Sequence, residues 1–297
     1  MKLLITGASG LYGSKLAELA ENRKHQVYAV HSQHETTRGI PIRLDVVDKV
    51  TVETEIKDAK PDVVVHAATM TDVDKCEINR ELAWKVNVEG TINVAQATKG
   101  IGAFFLYIST DYVFDGEKGC YKETDPPSPI SYYAYTKLKA EEKVQDILSE
   151  YCIARPSVIY GATPAAGKVN FALWISNKLK NKEQVPLFID QWNSPTLNTS
   201  LAEMTLEVLE RKLTGVYHLS GGSRISRYDF GFALAKAFGL DDSLLVPIRM
   251  GDLSFPAKRP RDSSLDTSKA ERTLKSKPLE TVEAFERLRI EINSAAL

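Results

Sequence analysis

Short apolar segments of strand length recur through the first half of the chain, separated by longer segments with a helical period. The apolar segments cover residues 3–6, 27–30, 40–44, 63–67 and 104–108. They are rich in β-formers and show no clean alternation of apolar and polar positions. This pattern is typical of strands that are covered on both faces, as in a parallel sheet.

The segments between these strands are amphipathic at a helical period. The predicted helices cover residues 14–23, 50–59, 81–98 and 133–149. The alternation of strands and helices predicts an α/β fold with a doubly wound parallel sheet, that is, a Rossmann fold.

After Arg155 the alternation becomes less regular. Ser226 is a plausible N-cap for a helix that follows it. We expect residues 1–155 to form a dinucleotide-binding domain, and residues 156–297 to complete the sheet and form a smaller C-terminal substrate-binding lobe. The elements predicted in this second part are helices over 168–182, 201–212 and 228–238 and a strand over 215–219.

Composition and charge argue against several classes of protein. The 297 residues carry 38 Lys and Arg against 39 Asp and Glu, so no global basic field attracts nucleic acid or anionic lipid. No apolar stretch approaches the ~20 residues of a membrane span, and the start of the chain has no signal-peptide core. The three cysteines are widely spaced, with no Cys/His cluster of zinc-ligand spacing. We therefore expect a cytoplasmic protein with no metal site and with neither nucleic acid nor a membrane as partner.

Glycines mark the first predicted turn from strand to helix. Gly7, Gly10 and Gly13 follow the first strand at the spacing Gly-x-x-Gly-x-x-Gly. A turn at this place directs free backbone N–H groups and the positive end of a helix dipole at one point, which favours a pyrophosphate. Because the turn belongs to the first βα unit, we interpret it as a dinucleotide-binding turn.

The end of the second predicted strand bears on the choice of cofactor. NAD-binding proteins of this fold often place an acidic residue there to bind the ribose 2′-hydroxyl, whereas this chain reads Val30-His31-Ser32-Gln33. The lack of a carboxylate favours NADP(H) over NAD(H), with His31, Ser32 or a later basic residue such as Arg38 near the 2′-phosphate. Asp45, after the next strand, suits either a contact with the adenine amino group or a turn.

Tyr133 and Lys137 lie four residues apart and project from one face of a predicted helix. Since an ammonium favours a nearby phenolate, we expect Lys137 to lower the pKa of Tyr133 and make it a proton donor at neutral pH. Thr110 follows the strand over 104–108, where the crevice of a doubly wound sheet lies. Its hydroxyl suits either a hydrogen bond to a reacting carbonyl oxygen or a strand-end turn. Asn87 fits either an ordinary polar helix position or a kink that holds a proton-relay water.

Together these motifs resemble those of the extended short-chain dehydrogenase/reductase family. The shared motifs are TGASGLYG at 6–13, VHAA at 65–68, NVEGT at 87–91 and YAYTK at 133–137. Further blocks are more specific and look like the dTDP-4-dehydrorhamnose reductase branch of the family. They are TDVDKCE at 71–77, STDYVFDG at 109–116, DQWNSPT at 190–196 and RPRDSSLD at 259–266.

The resemblance implies an NAD(P)H-dependent reductase of a nucleotide-linked 4-keto-6-deoxy sugar. Thr110, Tyr133 and Lys137 would form the catalytic triad, with hydride transferred to C4 and Tyr133 protonating the oxygen. Tyr133 and Lys137 would also contact the cofactor, Lys137 at the nicotinamide ribose.

The resemblance also assigns the binding residues. For the cofactor they are Gly7, Gly10, Leu11, Tyr12 and Gly13 around the pyrophosphate, Asp45 and Val46 at the adenine, and Ala67, Ala68 and Thr69 at its middle. For the nucleotide-sugar substrate they are Thr110, Asp111, Asn170 and Arg259. The assembly that the family suggests is a homodimer.

One block departs from the branch. The chain reads Arg155-Pro156-Ser157-Val158 where the branch has Arg-Thr-Ser-Trp, whose Trp packs on the substrate. Without this aromatic platform, dTDP-rhamnose itself is less favoured and a related nucleotide sugar stays possible. Two alternative functions also stay open: a nucleotide-sugar epimerase, and an NADP-binding regulatory subunit resembling that of methionine adenosyltransferase.

Overall fold

A parallel β-sheet forms the centre of the molecule, whose computed structural model describes residues 1–164 and 168–295. The strands are β1 (Lys2–Thr6), β2 (Gln26–His31), β3 (Ile40–Arg43), β4 (Val63–His66), β5 (Phe104–Ile108), β6 (Tyr151–Ala154), β7 (Ser157–Tyr160), β8 (Val185–Phe188), β9 (Trp192–Asn193), β10 (Pro195–Leu197), β11 (Gly215–Tyr217), β12 (Ile225–Ser226) and β13 (Leu245–Ile248). Within the described residues, seven of them form the main sheet in the order β3-β2-β1-β4-β5-β6-β11.

The order of the strands places a crevice at one edge of this sheet. Strand β1 pairs in parallel with β2 on one side and with β4 on the other, so that Leu3 lies opposite both Val27 and Val63. The chain therefore winds outward in both directions from the centre. In such a sheet, ligands bind outside the carboxyl ends of the strands where the winding reverses, here at β1 and β4.

Helices cover both faces of the sheet. They are α1 (Leu11–Asn22), α2 (Lys49–Ala59), α3 (Val73–Ile78), α4 (Arg80–Trp84), α5 (Gly90–Ile101), α6 (Tyr132–Ile147), α7 (Phe171–Lys180), α8 (Asn198–Glu210), α9 (Arg227–Phe238), α10 (Ser268–Thr273) and α11 (Thr281–Ala295). Helices α1 and α8 pack together, α5 packs against α2 and α6, and the two groups bury opposite faces of the sheet. Leu3 and Ile5 of β1 enter one apolar cluster and Leu4 enters the other, which explains the missing alternation along the strand.

The predicted doubly wound parallel sheet is confirmed, and the first five strands lie within two residues of their predicted bounds. Two predicted helices of the first half differ from the structure by three residues or more. The first begins at Leu11 instead of residue 14, because the last glycine of the turn already lies inside the helix. The helix predicted over 81–98 is interrupted by a π-helical turn, Lys85–Glu89, between α4 and α5.

A smaller apolar cluster holds the C-terminal lobe together. Helices α7, α9 and α11 surround Phe230, whose ring centroid lies 5.0 Å from that of Phe285 and 5.2 Å from that of Tyr160. Helix α7 is shorter than its predicted range because Asn170 caps its start, accepting a hydrogen bond from Leu173 N at 3.2 Å. Ser226 is confirmed as the N-cap of α9.

The second part of the chain also contributes to the main sheet. Its strand β11 pairs with β6, and its helix α8 packs on α1. The domain boundary at residue 155 stays a prediction, and residues 165–167 and 296–297 of the second part lie outside the described residues. Among the helices of the described ranges, none is both long and apolar enough to cross a bilayer.

Candidate active site

A cleft of about 900 Å³ opens at the carboxyl ends of β1, β4 and β5. Every residue of the predicted catalytic, cofactor-binding and substrate-binding sets lines this cleft, with the exception of Arg259. The parallel sheet thus brings residues as far apart in the sequence as Gly7 and Asn170 to one cavity. Their individual roles stay predictions.

The glycine turn at the floor of the cleft leaves no room for side chains. Gly7 has a φ of 71°, and a Cβ atom on it would lie 2.9 Å from the Ala67 carbonyl. A Cβ on Gly13 would lie 2.3 Å from the carbonyl oxygen of Gly7. The close packing brings the start of α1, with its free N–H groups, to the cleft. This geometry fits the pyrophosphate of a dinucleotide.

Gly13→Ala is expected to disturb this turn directly. Since the added methyl group overlaps the Gly7 carbonyl, we expect a loss of about 1–3 kcal/mol of unfolding free energy. We also expect the affinity for NADPH to fall at least about tenfold, corresponding to ~1.4 kcal/mol. Thermal unfolding and calorimetric titration with NADPH measure the two effects.

Gly100→Ala provides the matched control. Gly100 lies in α5, and its added Cβ would meet nothing within 4 Å. Because alanine favours helix over glycine by about 0.5–1 kcal/mol, this variant should be at least as stable as the parent and bind NADPH equally well. Equal NADPH affinity in Gly13→Ala and Gly100→Ala would refute the role given to the turn.

Strand β2 ends at the far end of the cleft, and no carboxylate stands at the end of this strand. His31 is buried there, and its Nδ1 atom has no hydrogen-bond partner among the described residues. Ser32 is exposed and also faces the cleft. The carboxylate of Asp45 accepts a hydrogen bond from Val47 N at 3.1 Å in a turn, and the residue lines the cleft, so its contact with the adenine stays a prediction.

Tyr133 and Lys137 both project from α6 into the cleft and are 8% and 1% exposed. The expectation that Lys137 lowers the pKa of Tyr133 is wrong for this arrangement. Burial raises the pKa of the Tyr133 phenol, and only its hydrogen bond with Thr110 opposes this rise appreciably. The Lys137 ammonium instead donates to the Ile108 carbonyl at 2.7 Å and lies 4.2 Å from the centre of the Tyr107 ring.

The environment of Lys137 changes its own protonation. Burial lowers the pKa of Lys137 to about 7, although the charge of Glu141 acts in the opposite direction. At neutral pH the side chain is thus close to its midpoint, and an added negative charge in the cleft would favour its charged form. Lys137 is therefore placed to respond to what binds beside it.

Asp111 fixes the orientation of the Thr110 hydroxyl. Thr110 donates to Asp111 Oδ1 at 3.0 Å, while Ser157 and Ser263 donate to Asp111 Oδ2 at 2.7 and 2.6 Å. Burial raises the pKa of Asp111, and these three hydrogen bonds lower it. Thr110 is also a hydrogen-bond partner of the Tyr133 phenol, and this hydrogen bond lowers the pKa of the phenol. Asp111, which we expected to face the sugar, thus also holds Thr110, Ser157 and Ser263 in place through hydrogen bonds.

Sequence reasoning did not select Ser157 or Ser263 as residues of the site. They lie 46 and 152 positions from Asp111 along the chain. The signal that could have indicated them was the presence of hydroxyl residues in two blocks already noted, Arg155 to Val158 and RPRDSSLD at 259–266.

Asn87 lies in the π-helical turn and connects two walls of the cleft. Its Oδ1 accepts from Thr69 Oγ1 and Met70 N, both at 2.8 Å, and its Nδ2 donates to Met70 O at 3.2 Å and Thr136 Oγ1 at 3.0 Å. The kink that was one of the two predictions for Asn87 is therefore present, as a π-helical turn. Both amide hydrogens are used within the protein, so the side chain has no hydrogen left to hold a relay water.

Buried polar groups also hold the loop after β4. Thr6 Oγ1 accepts from the N–H groups of Ala67 and Ala68 at 3.1 and 3.2 Å and is bonded to His66 Nδ1 at 2.8 Å. Burial lowers the pKa of His66 to about 3, so this imidazole is neutral. His66 supports the backbone that faces the cofactor region. Thr6, which begins the TGASGLYG motif, is a third residue of the site whose role the sequence did not indicate.

Two predicted substrate residues are engaged elsewhere. Arg259 forms a bidentate ion pair with Asp74, with N–O distances of 3.0 and 2.6 Å, and lies 4.0 Å from the Phe255 ring centre. The structure therefore does not bring Arg259 into the cleft. Asn170 does line the cleft, but its amide caps α7 and donates to the Gly161 carbonyl at 2.9 Å.

Val158 stands where the related branch has an aromatic residue. It lines the cleft and has a φ of 37°, which is a strained conformation for a β-branched side chain. The missing platform noted in the sequence is therefore replaced by a small apolar group in a fixed orientation.

Comparison with known proteins places this site in a family. The model of the RmlD substrate binding domain matches residues 1–291. The chain is 36% identical to a probable low-salt glycan biosynthesis reductase of Haloferax volcanii, over 91% of each chain. It is 34% identical to the methionine adenosyltransferase 2 subunit beta of Xenopus tropicalis, over 91% of this chain and 82% of the relative.

A solved structure supports the same placement. The dTDP-4-dehydrorhamnose reductase of Bacillus anthracis in complex with NADP is 28% identical, with a TM-score of 0.88 over 98% of this chain and 99% of the other. The extended short-chain dehydrogenase/reductase resemblance is thereby confirmed. This chain belongs to the RmlD substrate-binding-domain family.

Proposed function

We propose that the protein is an NADP(H)-dependent reductase of a nucleotide-linked 4-keto-6-deoxy sugar. The observation that carries the proposal is the meeting of Thr110, Tyr133 and Lys137 in one cleft with the glycine turn. A hydroxyl, a phenol and a buried amine in this arrangement suit the reduction of a carbonyl group. The similarity to the Bacillus anthracis reductase supports the same reaction class and the same kind of substrate.

In this proposal the backbone at Gly10, Leu11 and Tyr12 binds the cofactor pyrophosphate, and Lys137 holds the nicotinamide ribose. The bound cofactor supplies hydride to C4 of the sugar. Tyr133 donates its phenolic proton to the sugar oxygen as negative charge develops there. Thr110 positions the phenol through the hydrogen bond between their side chains. Asp111 keeps Thr110 in place through the hydrogen bond between their side chains.

The preference for NADP(H) over NAD(H) is part of the proposal. Its support is the lack of a carboxylate in Val30-His31-Ser32-Gln33 and the free Nδ1 atom of the buried His31. An imidazole at this place can donate to a phosphate oxygen, whereas a carboxylate would repel one. The Bacillus anthracis structure was obtained with NADP, which is consistent with this preference.

The proposal also retains three expectations from the sequence. Residues 1–155 hold the cofactor and residues 156–297 hold most of the sugar-binding lobe, the protein is cytoplasmic, and it forms a homodimer. They are supported by the residue pattern, the three widely spaced cysteines and the family resemblance, respectively.

The direct test is turnover with a dTDP-linked 4-keto-6-deoxy-hexose. We expect stoichiometric oxidation of NADPH, with a higher kcat/KM for NADPH than for NADH. Product analysis should show one alcohol formed for each NADPH consumed. Turnover without net cofactor consumption would instead identify an epimerase, and a lack of turnover with dTDP- and UDP-linked keto sugars would refute the proposal.

A second candidate function has a specific observation in its favour. The similarity to methionine adenosyltransferase 2 subunit beta covers most of both chains, so a regulatory subunit is the alternative. It predicts co-purification with a methionine adenosyltransferase and no consumption of cofactor with any keto sugar. Retention of Thr110, Tyr133 and Lys137 in one cleft favours the reductase.

A further inference from the structure

Arg227, the first residue of α9, is a partly buried arginine without a counter-ion. No carboxylate of the described residues lies within ion-pair distance of its guanidinium. Other arginines of the lobe are paired: Arg259 with Asp74, Arg224 with Asp262 and Arg287 with Glu203. Among the described residues of the lobe, Arg227 is the one partly buried arginine without an ion pair; the others that lack one, Arg249, Arg261, Arg272 and Arg289, are exposed.

Neutral groups hold the Arg227 side chain in one place. Its Nε donates to Gln191 Oε1 at 3.3 Å, and its guanidinium carbon lies 4.5 Å from the centre of the Phe171 ring. The Tyr112 phenol is a further hydrogen-bond partner. The guanidinium is thus fixed in position by contacts that leave its charge uncompensated.

These partners locate Arg227 beside the cleft. Phe171 follows the cleft residue Asn170, and Tyr112 follows the cleft residue Asp111. Arg227 itself is not among the residues that line the cleft. The charge of Asp111, which does line it, acts on the guanidinium, so Arg227 lies near the end of the cleft that contains Thr110 and Asp111.

The nearby charges do not neutralise Arg227. Burial lowers its pKa, the charges of the Tyr112 phenol and Asp111 act in the opposite direction, and the positive charge of Arg259 adds to the lowering. The Asp111 oxygens accept hydrogen bonds from Thr110, Ser157 and Ser263. Because a buried charge without a partner is unfavourable, this guanidinium would gain most from an anion brought by a ligand. A planar guanidinium is suited to bidentate binding of phosphate.

We propose that Arg227 binds the diphosphate of the substrate, an inference that rests on the proposed nucleotide-sugar reductase function. The sugar then lies between this anion site and Tyr133, with the nucleoside on the far side of Arg227. Arg227 is a substrate-binding residue in this assignment. Arg259, the arginine that was predicted to bind the substrate, is instead paired with Asp74.

The test is calorimetric titration of dTDP and, separately, NADPH into the parent and Arg227→Met, whose side chain retains much of the length that packs on Phe171. We expect dTDP affinity to fall about 10- to 100-fold, as for a lost hydrogen bond to a charged group, and NADPH affinity to stay unchanged. Arg227→Lys keeps the charge and loses the planar guanidinium. Its affinity for dTDP should lie between those of the parent and Arg227→Met. Arg224→Met is the matched control, because Arg224 lies three residues away, is 44% exposed on its side chain and is paired with Asp262.

The outcomes separate this inference from the proposed function. Equal dTDP affinity in the parent and Arg227→Met would overturn the inference and leave the reductase intact. If dTDP does not bind the parent but inorganic pyrophosphate does, in a manner that depends on Arg227, the anion site stands and the nucleotide-sugar function is wrong. If neither ligand binds the folded parent, the inference is wrong. If Arg227→Met does not fold, the test rests on Arg227→Lys. A dTDP affinity in Arg227→Lys equal to that of the parent would then contradict bidentate binding by Arg227.

Discussion

Tyr133→Phe is expected to lower kcat for reduction of the keto sugar by about 10²- to 10⁴-fold, the usual contribution of a positioned general acid. The variant removes the phenolic hydroxyl and retains the ring that packs in the cleft. NADPH affinity should therefore stay within about twofold of the parent, less than 0.5 kcal/mol. Steady-state kinetics and NADPH titration, carried out on the same preparations, measure both quantities.

Tyr135→Phe is the matched control for this prediction. Tyr135 lies on the same helix, is 39% exposed and does not line the cleft, so its loss of a hydroxyl should leave kcat unchanged. Full activity of Tyr133→Phe would show that another group supplies the proton and would remove the basis of the proposed mechanism. Equal losses in the two variants would indicate a general effect on α6 instead.

The sequence predicted most of the sheet and less of what joins the helices. Strands β4 and β5 are apolar at nearly every position, and their burial on both faces leaves little choice of structure. The π-helical turn at Lys85–Glu89 was outside the reach of periodicity, because it depends on hydrogen bonds between Asn87 and Met70, 17 residues away. A local pattern cannot contain a contact of that kind.

The residues of the candidate site likewise include some that a local sequence pattern predicts and some that it does not. Gly7, Tyr133 and Lys137 were found because their roles depend on position in a βα unit or on one helix face. The Ser157 and Ser263 hydrogen bonds to Asp111 and the position of Arg227 near Asp111 depend on how the two parts of the chain pack. The pKa expectation failed for a related reason: burial of the Tyr133 phenol is a tertiary property, and it outweighs the effect of a neighbouring lysine.

Arg155→Met is expected to destabilise the protein by about 3–5 kcal/mol, the usual penalty for removing one partner of a buried ion pair. Arg155 and Glu141 are 3% and 1% exposed, and they are joined by two hydrogen bonds of 2.9 and 2.5 Å. Without the guanidinium, the Glu141 carboxylate would remain buried with its charge uncompensated. The shift in the midpoint of urea unfolding, at constant slope, measures the change.

The double variant Arg155→Met/Glu141→Leu distinguishes charge from packing. If the penalty comes from the uncompensated carboxylate, removing it should restore most of the stability lost in Arg155→Met, because apolar replacements of buried ion pairs are often neutral. A double variant no more stable than Arg155→Met would instead assign the loss to the guanidinium itself, which also lies 5.2 Å from the Phe114 ring centre. Since the charge of Glu141 also raises the pKa of Lys137, the stability of the double variant, and not its reductase activity, is the readout that separates the two causes.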